Sequence, residues 1–120
     1  MAEHIDLGAK GEELAIAHLR EKGYEILKTN WHFGREEIDI IAQNDEYLII
    51  VEVKTRQSNY FGEPEISVNK KKQKALIRAA HAFVIQREID KEVRFDIIAI
   101  VIGHQKTVIR HLERAFYPTL

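Results

Sequence analysis

Two apolar runs, Glu37 to Ala42 and Tyr47 to Thr55, are each broken by one carboxylate, and they constrain this chain more than anything else in it. Gln43-Asn44-Asp45-Glu46 joins them with turn-forming residues, which predicts an antiparallel hairpin. Asp39 interrupts the first run and Glu52 the second. A carboxylate in such a strand is costly unless it is paired, hydrogen-bonded or bound to a cation. Strict alternation puts Asp39 with Ile41 on one face and Ile38 with Ile40 on the other, while Glu52 and Lys54 emerge side by side. At a separation of about 4 Å two carboxylates repel by on the order of 4 kcal/mol at an effective dielectric of about 20, and a divalent cation reverses the sign.

The remaining pattern is mixed. Leu7, Gly11, Leu14, Ala15 and Leu19 recur at helical spacing and predict a helix over Asp6 to Lys22, stopped by Gly23. Tyr24 to Asn30 reads as a strand. Arg56 to Ser67 holds Asn59, Gly62 and Pro64 without a period and reads as a loop; within it Tyr60-Phe61-Gly62 is either a flap over a site or a packed turn. A helix is expected from Val68 to Arg87, burying Leu76, Ala79, Ala80 and Phe83. Phe95 to Ile102 suits a buried strand, Gly103 to Lys106 a turn, and Thr107 to Leu112 one more strand. The expectation is one α/β domain over residues 1–120, a mixed β-sheet flanked by helices, with the strand after the second helix parallel to the Glu52 strand through a right-handed crossover.

An apolar fraction of 45% in 120 residues supports one core. With no cysteine there is no disulfide and no thiolate metal site, which suits a reducing compartment. The start, Met-Ala-Glu-His-Ile-Asp, has no targeting pattern, and no apolar run approaches the roughly 20 residues that span a bilayer, so a cytoplasmic protein without membrane association is expected. A net charge of -1 argues against a nucleic-acid coat protein, yet Lys54, Arg56, Lys70, Lys71, Lys72, Lys74 and Arg78 face only Glu63 and Glu65 between Lys54 and Arg78. That stretch either grips phosphates or solvates a helix. The six histidines are scattered without ligand spacing and read as surface or half-buried residues. Trp31 and Phe33 could stack on an unpaired base, though a Trp beside a short strand suits the core better, and Arg94 with Asp96 reads as an internal ion pair. Glu37, on the Asp39 face, is a further ligand or a solvated strand end.

Hard oxygen donors without cysteine or a close histidine pair select Mg²⁺ or Mn²⁺ over Zn²⁺. Such a cation could polarise a phosphoryl oxygen and activate a water, with Lys54 orienting that water or stabilising charge on phosphorus. The rival is an ion pair of Lys54 with Glu52 or Asp39 at the sheet's end, and spacing does not choose between them.

The chain then resembles a family. Asp39 followed by Glu52-Val53-Lys54 resembles the Asp…(Asp/Glu)-x-Lys signature of the restriction-endonuclease-like nucleases. The fuller set is similar to the small bacterial YraN-like proteins, relatives of archaeal Holliday-junction resolvases: Gly8 to Glu12, Asn30-Trp31, Glu37 to Ile41, Val51 to Arg56, Phe61-Gly62, Lys72-Gln73 and Arg94 to Asp96. The resemblance implies a helix-strand-strand-strand-helix-strand core with an extra strand. It implies a cation held by Asp39, Glu52 and the Val53 carbonyl, Lys54 beside the attacking water and Glu12 as an outer carboxylate. Lys72 and Gln73, with Arg56 and Lys70 of the basic stretch, are the candidate nucleic-acid contacts. Where the family usually has Gly before Glu-Ile-Asp, this chain has Glu36. The expected activity is Mg²⁺- or Mn²⁺-dependent hydrolysis of DNA phosphodiesters, on branched substrates such as junctions or flaps, or on single strands. The alternatives are a non-catalytic nucleic-acid-binding module of the same fold and a protein-interaction domain. Cutting both strands needs two sites, which would favour a homodimer.

Overall fold

The computed structural model describes residues 6–58 and 66–118. They run as α1 (Leu7–Glu21), β1 (Glu25–Phe33), β2 (Glu36–Gln43), β3 (Tyr47–Gln57), α2 (Lys70–Arg87), β4 (Glu92–Ile102) and β5 (Thr107–Phe116). Asp6 caps α1, its carboxylate accepting the Ala9 N–H at 3.1 Å. Gly23, at φ 91°, takes the chain out of the helix, with the Gly23 and Tyr24 N–H groups donating to the Arg20 and Leu19 carbonyls. Asn69 caps α2 through the Lys72 N–H at 2.8 Å, so that helix begins at Lys70.

The strands form one mixed sheet in the order β1-β2-β3-β4-β5, antiparallel throughout except for the parallel β3–β4 pair on either side of α2. The helices cover opposite faces. Ala15 and Leu19 of α1 pack with Ile40, Ala42, Ile49, Val51, Ile98 and Ile100. Leu76, Ala79, Ala80 and Phe83 of α2 pack with Ile38, Ile41, Leu48, Ile50, Phe95 and Ile97. Burial on both faces explains why β4 reads as a nearly unbroken apolar run.

Several strands are longer than the periodicity suggested. β1 continues through Trp31 to Phe33 and turns at Gly34, φ 62°, into β2, because Phe33 still pairs with Glu36. β3 reaches Gln57, β4 starts at Glu92 and β5 ends at Phe116. The loop residues Asn59, Gly62 and Pro64, and the Tyr60-Phe61-Gly62 segment, lie outside the described residues. Among the described residues no helix is long and apolar enough to cross a membrane.

Two expectations fail. Ile38 and Ile40 do not share a face: Ile38 and Ile41 join the α2 cluster, and Ile40 the α1 cluster. Asp39 lines a pocket with α1 residues, so it does not face Ile41's side. The alternation breaks where β2 leaves β3, whose pairing ends at Ile40–Val51, and where Asn30 of β1 adopts a left-handed φ of 49°. Nor are the histidines all scattered: His18 of α1 and His111 of β5 meet with Nε2 and Nδ1 3.2 Å apart.

The Arg94–Asp96 ion pair is present at 2.9 Å and buried. Burial alone would raise the Asp96 pKa, but hydrogen bonds from His111, Arg94 and the Arg114 N–H outweigh it and hold the carboxyl below its ordinary range. Trp31 packs edge-on against Phe83 with ring centroids 5.2 Å apart, as a core residue would.

Candidate active site

The site forms where two strands part. Past Ile40–Val51 the β2–β3 ladder stops, and the Asp39 carboxylate takes the Val53 N–H at 2.8 Å in place of a strand partner. β3 goes on pairing with β4, Glu52 opposite Ile97, so Glu52 and Lys54 stay fixed on a rigid strand. Burial first, and the Glu37 charge after it, push the Asp39 pKa up against the opposing Val53 hydrogen bond. Glu52 is raised to about 7, chiefly by burial and then by the Asp39 charge, with Lys72 and Lys54 opposing. Glu52 Oε2 is buried and has no hydrogen-bond partner.

On the α1 side, an open pocket of about 490 Å³ is lined by Asp6, Gly8, Ala9, Glu12, Asn30, Glu37, Asp39, Val53 and Thr55. Close packing brings α1 there. A Cβ on Gly11 would lie 1.8 Å from Thr55 Oγ1, so only glycine lets the helix rest on β3 at this turn. Glu12, the next residue, accepts a hydrogen bond from Asn30 Nδ2 at 2.8 Å. Burial and the Asp39 charge raise its pKa, Asn30 opposing. Glu37 lines the same pocket and lies 3.7 Å from His32.

Glu52 does not line that pocket. By alternation along β3 it points with Leu48 and Ile50 to the α2 side, where Lys72 Nζ lies 3.7 Å from its Oε2. Lys54, on the same side, donates from Nζ to the Ser67 carbonyl. Asp39 thus sits between the acidic pocket on the α1 side and Glu52 with Lys72 on the α2 side. Lys70 and Arg56 are exposed at the start of α2 and the end of β3. Gln73 turns inward, its Nε2 donating to the Val68 carbonyl at 2.8 Å. Glu36, the residue standing where the resembled family has Gly, accepts from Arg78 Nε at 2.9 Å and ties β2 to α2.

Sequence reasoning missed Asn30 as a contributor to the site. Asn30 stands in a polar stretch, Lys28-Thr29-Asn30, that marks no one residue out, and it gains meaning only beside Glu12 and Asp39 in the folded pocket. Among the described residues no group of three or more His, Cys, Asp or Glu side chains is arranged around one point as a metal cage. The ligands expected from the sequence, Asp39 and Glu52 with the Val53 carbonyl, would offer hard oxygens, which suit Mg²⁺ or Mn²⁺. A buried carboxylate oxygen without a hydrogen bond, facing a second carboxylate, is the feature a divalent cation would satisfy.

Residues 11–100 match the model of a family described as uncharacterised protein family UPF0102. A UPF0102 protein of Flavobacterium psychrophilum is 50% identical over 117 residues, covering 98% of both chains. One of Phocaeicola vulgatus is 45% identical over 120 residues, covering 100% of this chain and 99% of the relative. Among solved structures, Hjc of Archaeoglobus fulgidus, a Holliday junction resolvase from an archaeal hyperthermophile, superposes with a TM-score of 0.52 at 15% identity, covering 88% of this chain and 75% of the other. The fold is therefore restriction-endonuclease-like.

Proposed function

From a chain that belongs to the uncharacterised protein family UPF0102, with a restriction-endonuclease-like fold, we infer a divalent-metal-dependent nuclease that hydrolyses DNA phosphodiester bonds. The observation that carries the reading is Glu52 Oε2, buried without a hydrogen bond beside Asp39. A pure binding module gains nothing from carboxylates where phosphate must sit. Asp39 and Glu52, with the Val53 carbonyl, would hold Mg²⁺ or Mn²⁺. When bound, the cation supplies a Lewis acid for a phosphoryl oxygen and lowers the pKa of a water.

The chain's own residues supply the rest. Lys54, fixed on β3, presents its ammonium to the attacking water and to charge growing on the phosphoryl oxygens. Lys72, 3.7 Å from Glu52 Oε2, guides a phosphate towards the carboxylates while limiting their repulsion. Glu12, steadied by Asn30, orients water from the α1 side. Lys70 and Arg56, both exposed, follow the backbone beyond the scissile bond. Hjc's substrate makes a four-way junction the leading member of the substrate panel.

The test is cleavage of labelled duplex, single-stranded, flap and four-way-junction DNA with Mg²⁺ or Mn²⁺. Wild type should cut at least one of them, and Asp39→Ala and Glu52→Ala should each lose about 10²-fold or more in rate, the scale set by removing a group that stabilises transition-state charge. Activity that survives both substitutions, or a folded wild type that cuts nothing, overturns the proposal.

A further inference from the structure

His18 and His111 lie 93 positions apart in sequence, yet His18 Nε2 and His111 Nδ1 converge to 3.2 Å between α1 and β5. Their rings meet nearly edge to face, with centroids 5.2 Å apart and planes at 67°. The other nitrogen of His111, Nε2, lies 2.8 Å from Asp96 Oδ2. Asp96 is fully buried and fixed in turn by Arg94 at 2.9 Å. A carboxylate so held keeps the His111 proton on Nε2 and leaves the Nδ1 lone pair facing His18, the carboxylate–histidine arrangement that orients metal ligands.

We propose that His18 and His111 form a second, chemically distinct metal site, one that takes Zn²⁺ or another imidazole-preferring divalent ion between α1 and β5. Two Zn–N bonds of about 2.0–2.1 Å at a tetrahedral angle put the nitrogens about 3.3 Å apart. The observed 3.2 Å meets that separation; without the ion it is a hydrogen bond from His18 Nε2–H to His111 Nδ1, and metal binding moves the His18 proton to its Nδ1 and turns the rings so that both lone pairs converge on the ion. With two protein ligands, water fills the remaining positions, so the ion is exchangeable. Ligand softness separates the two sites: Asp39 and Glu52 offer oxygen for Mg²⁺, the imidazoles offer nitrogen for Zn²⁺, Ni²⁺ or Cu²⁺.

Lys22 gives the site a built-in competitor. Its ammonium lies 3.4 Å from His111 Nδ1 and 3.8 Å from Glu113 Oε1. The side chain is 42% exposed, free to turn towards Glu113 as a metal enters. Removing this charge should favour the metal, an outcome that a purely structural imidazole pair does not predict.

Titration calorimetry with Zn²⁺ would use the full chain carrying Glu52→Gln, which removes one of the two carboxylates of the proposed active site and so weakens its competition for the ion. Saturable binding should weaken by about tenfold or more in His18→Ala and His111→Ala, the scale of metal-site disruption. It should tighten several-fold in Lys22→Gln. Imidazole ¹⁵N spectra of the wild type should show Zn²⁺ shifting His18 Nε2 and His111 Nδ1. Zn²⁺ heats that are the same in folded His18→Ala and Lys22→Gln, with those two nitrogens unshifted, overturn the proposal. Both variants change half-buried or exposed side chains, so the test stands even where His111→Ala does not fold.

Discussion

Glu52 is held in an environment that disfavours its charge, with an orphaned oxygen and a carboxyl raised to about 7 by burial and by Asp39. Glu52→Gln removes that charge and keeps the volume. Without metal the variant should be more stable than wild type by about 1–2 kcal/mol, the scale on which neutralising a poorly compensated buried charge acts. Added Mg²⁺ should raise the melting temperature of wild type and leave Glu52→Gln unmoved. Thermal melts with and without Mg²⁺ check both arms, and an equal Mg²⁺ shift in the two proteins refutes the assignment. Asp96 has the opposite character. Its folded pKa lies below the ordinary carboxylate value, so its contribution is complete above the unfolded pKa and is lost as pH falls through the folded one. Urea midpoints from about pH 7 to about pH 3 should fall for wild type, with a shallower acid limb in Asp96→Asn, which starts lower at neutral pH.

Gly11 sets the distance between α1 and β3. Gly11→Ala trades a better helix former for a methyl placed 1.8 Å from Thr55 Oγ1, and the overlap should win, costing about 1–3 kcal/mol in denaturant unfolding. Because Glu12 rides on the same turn, cleavage should fall further than stability alone explains. Helices and central strands were legible in the sequence because burial writes itself as period: Leu76, Ala79, Ala80 and Phe83 for α2, the Phe95 to Ile102 run for β4. The hairpin carrying Asp39 and Glu52 was legible for the same reason. Strand ends were not: Trp31 to Phe33 pair through the backbone with only partial burial, and the β5 register shifts past Glu113 to Ala115 before buried Phe116 rejoins β4 opposite Phe95. The break in alternation at Asp39 was hidden too. It arises from where β2 leaves β3 and from Asn30's left-handed φ, and neither has a periodic signature. The His18–His111 pair is a tertiary juxtaposition across 93 positions, invisible to spacing.

On the whole molecule, acidic residues gather on the α1 side of the site while lysines crown the start of α2, so a net charge of -1 conceals a directional field. Neutralising Lys70, Lys71, Lys72 and Lys74 should flatten the salt dependence of duplex binding by about 0.9 in log–log slope for each phosphate that the helix no longer neutralises. Filter binding over a salt series measures it, and an unchanged slope removes this helix end from the interface. The parting of β2 from β3 carries a last consequence for reading relatives. The Val53 amide that a neighbouring strand would have satisfied is satisfied by Asp39 instead. An aspartate at 39 is therefore part of the architecture, and selection for mere foldability would preserve it in a relative that lacks the proposed cleavage. Glu52 Oε2 holds no backbone amide and has the Lys72 ammonium 3.7 Å away, so the strand ladder does not depend on it. If the proposed cleavage is right, loss of glutamate at 52 while aspartate persists at 39 would mark a relative that keeps the scaffold without the chemistry.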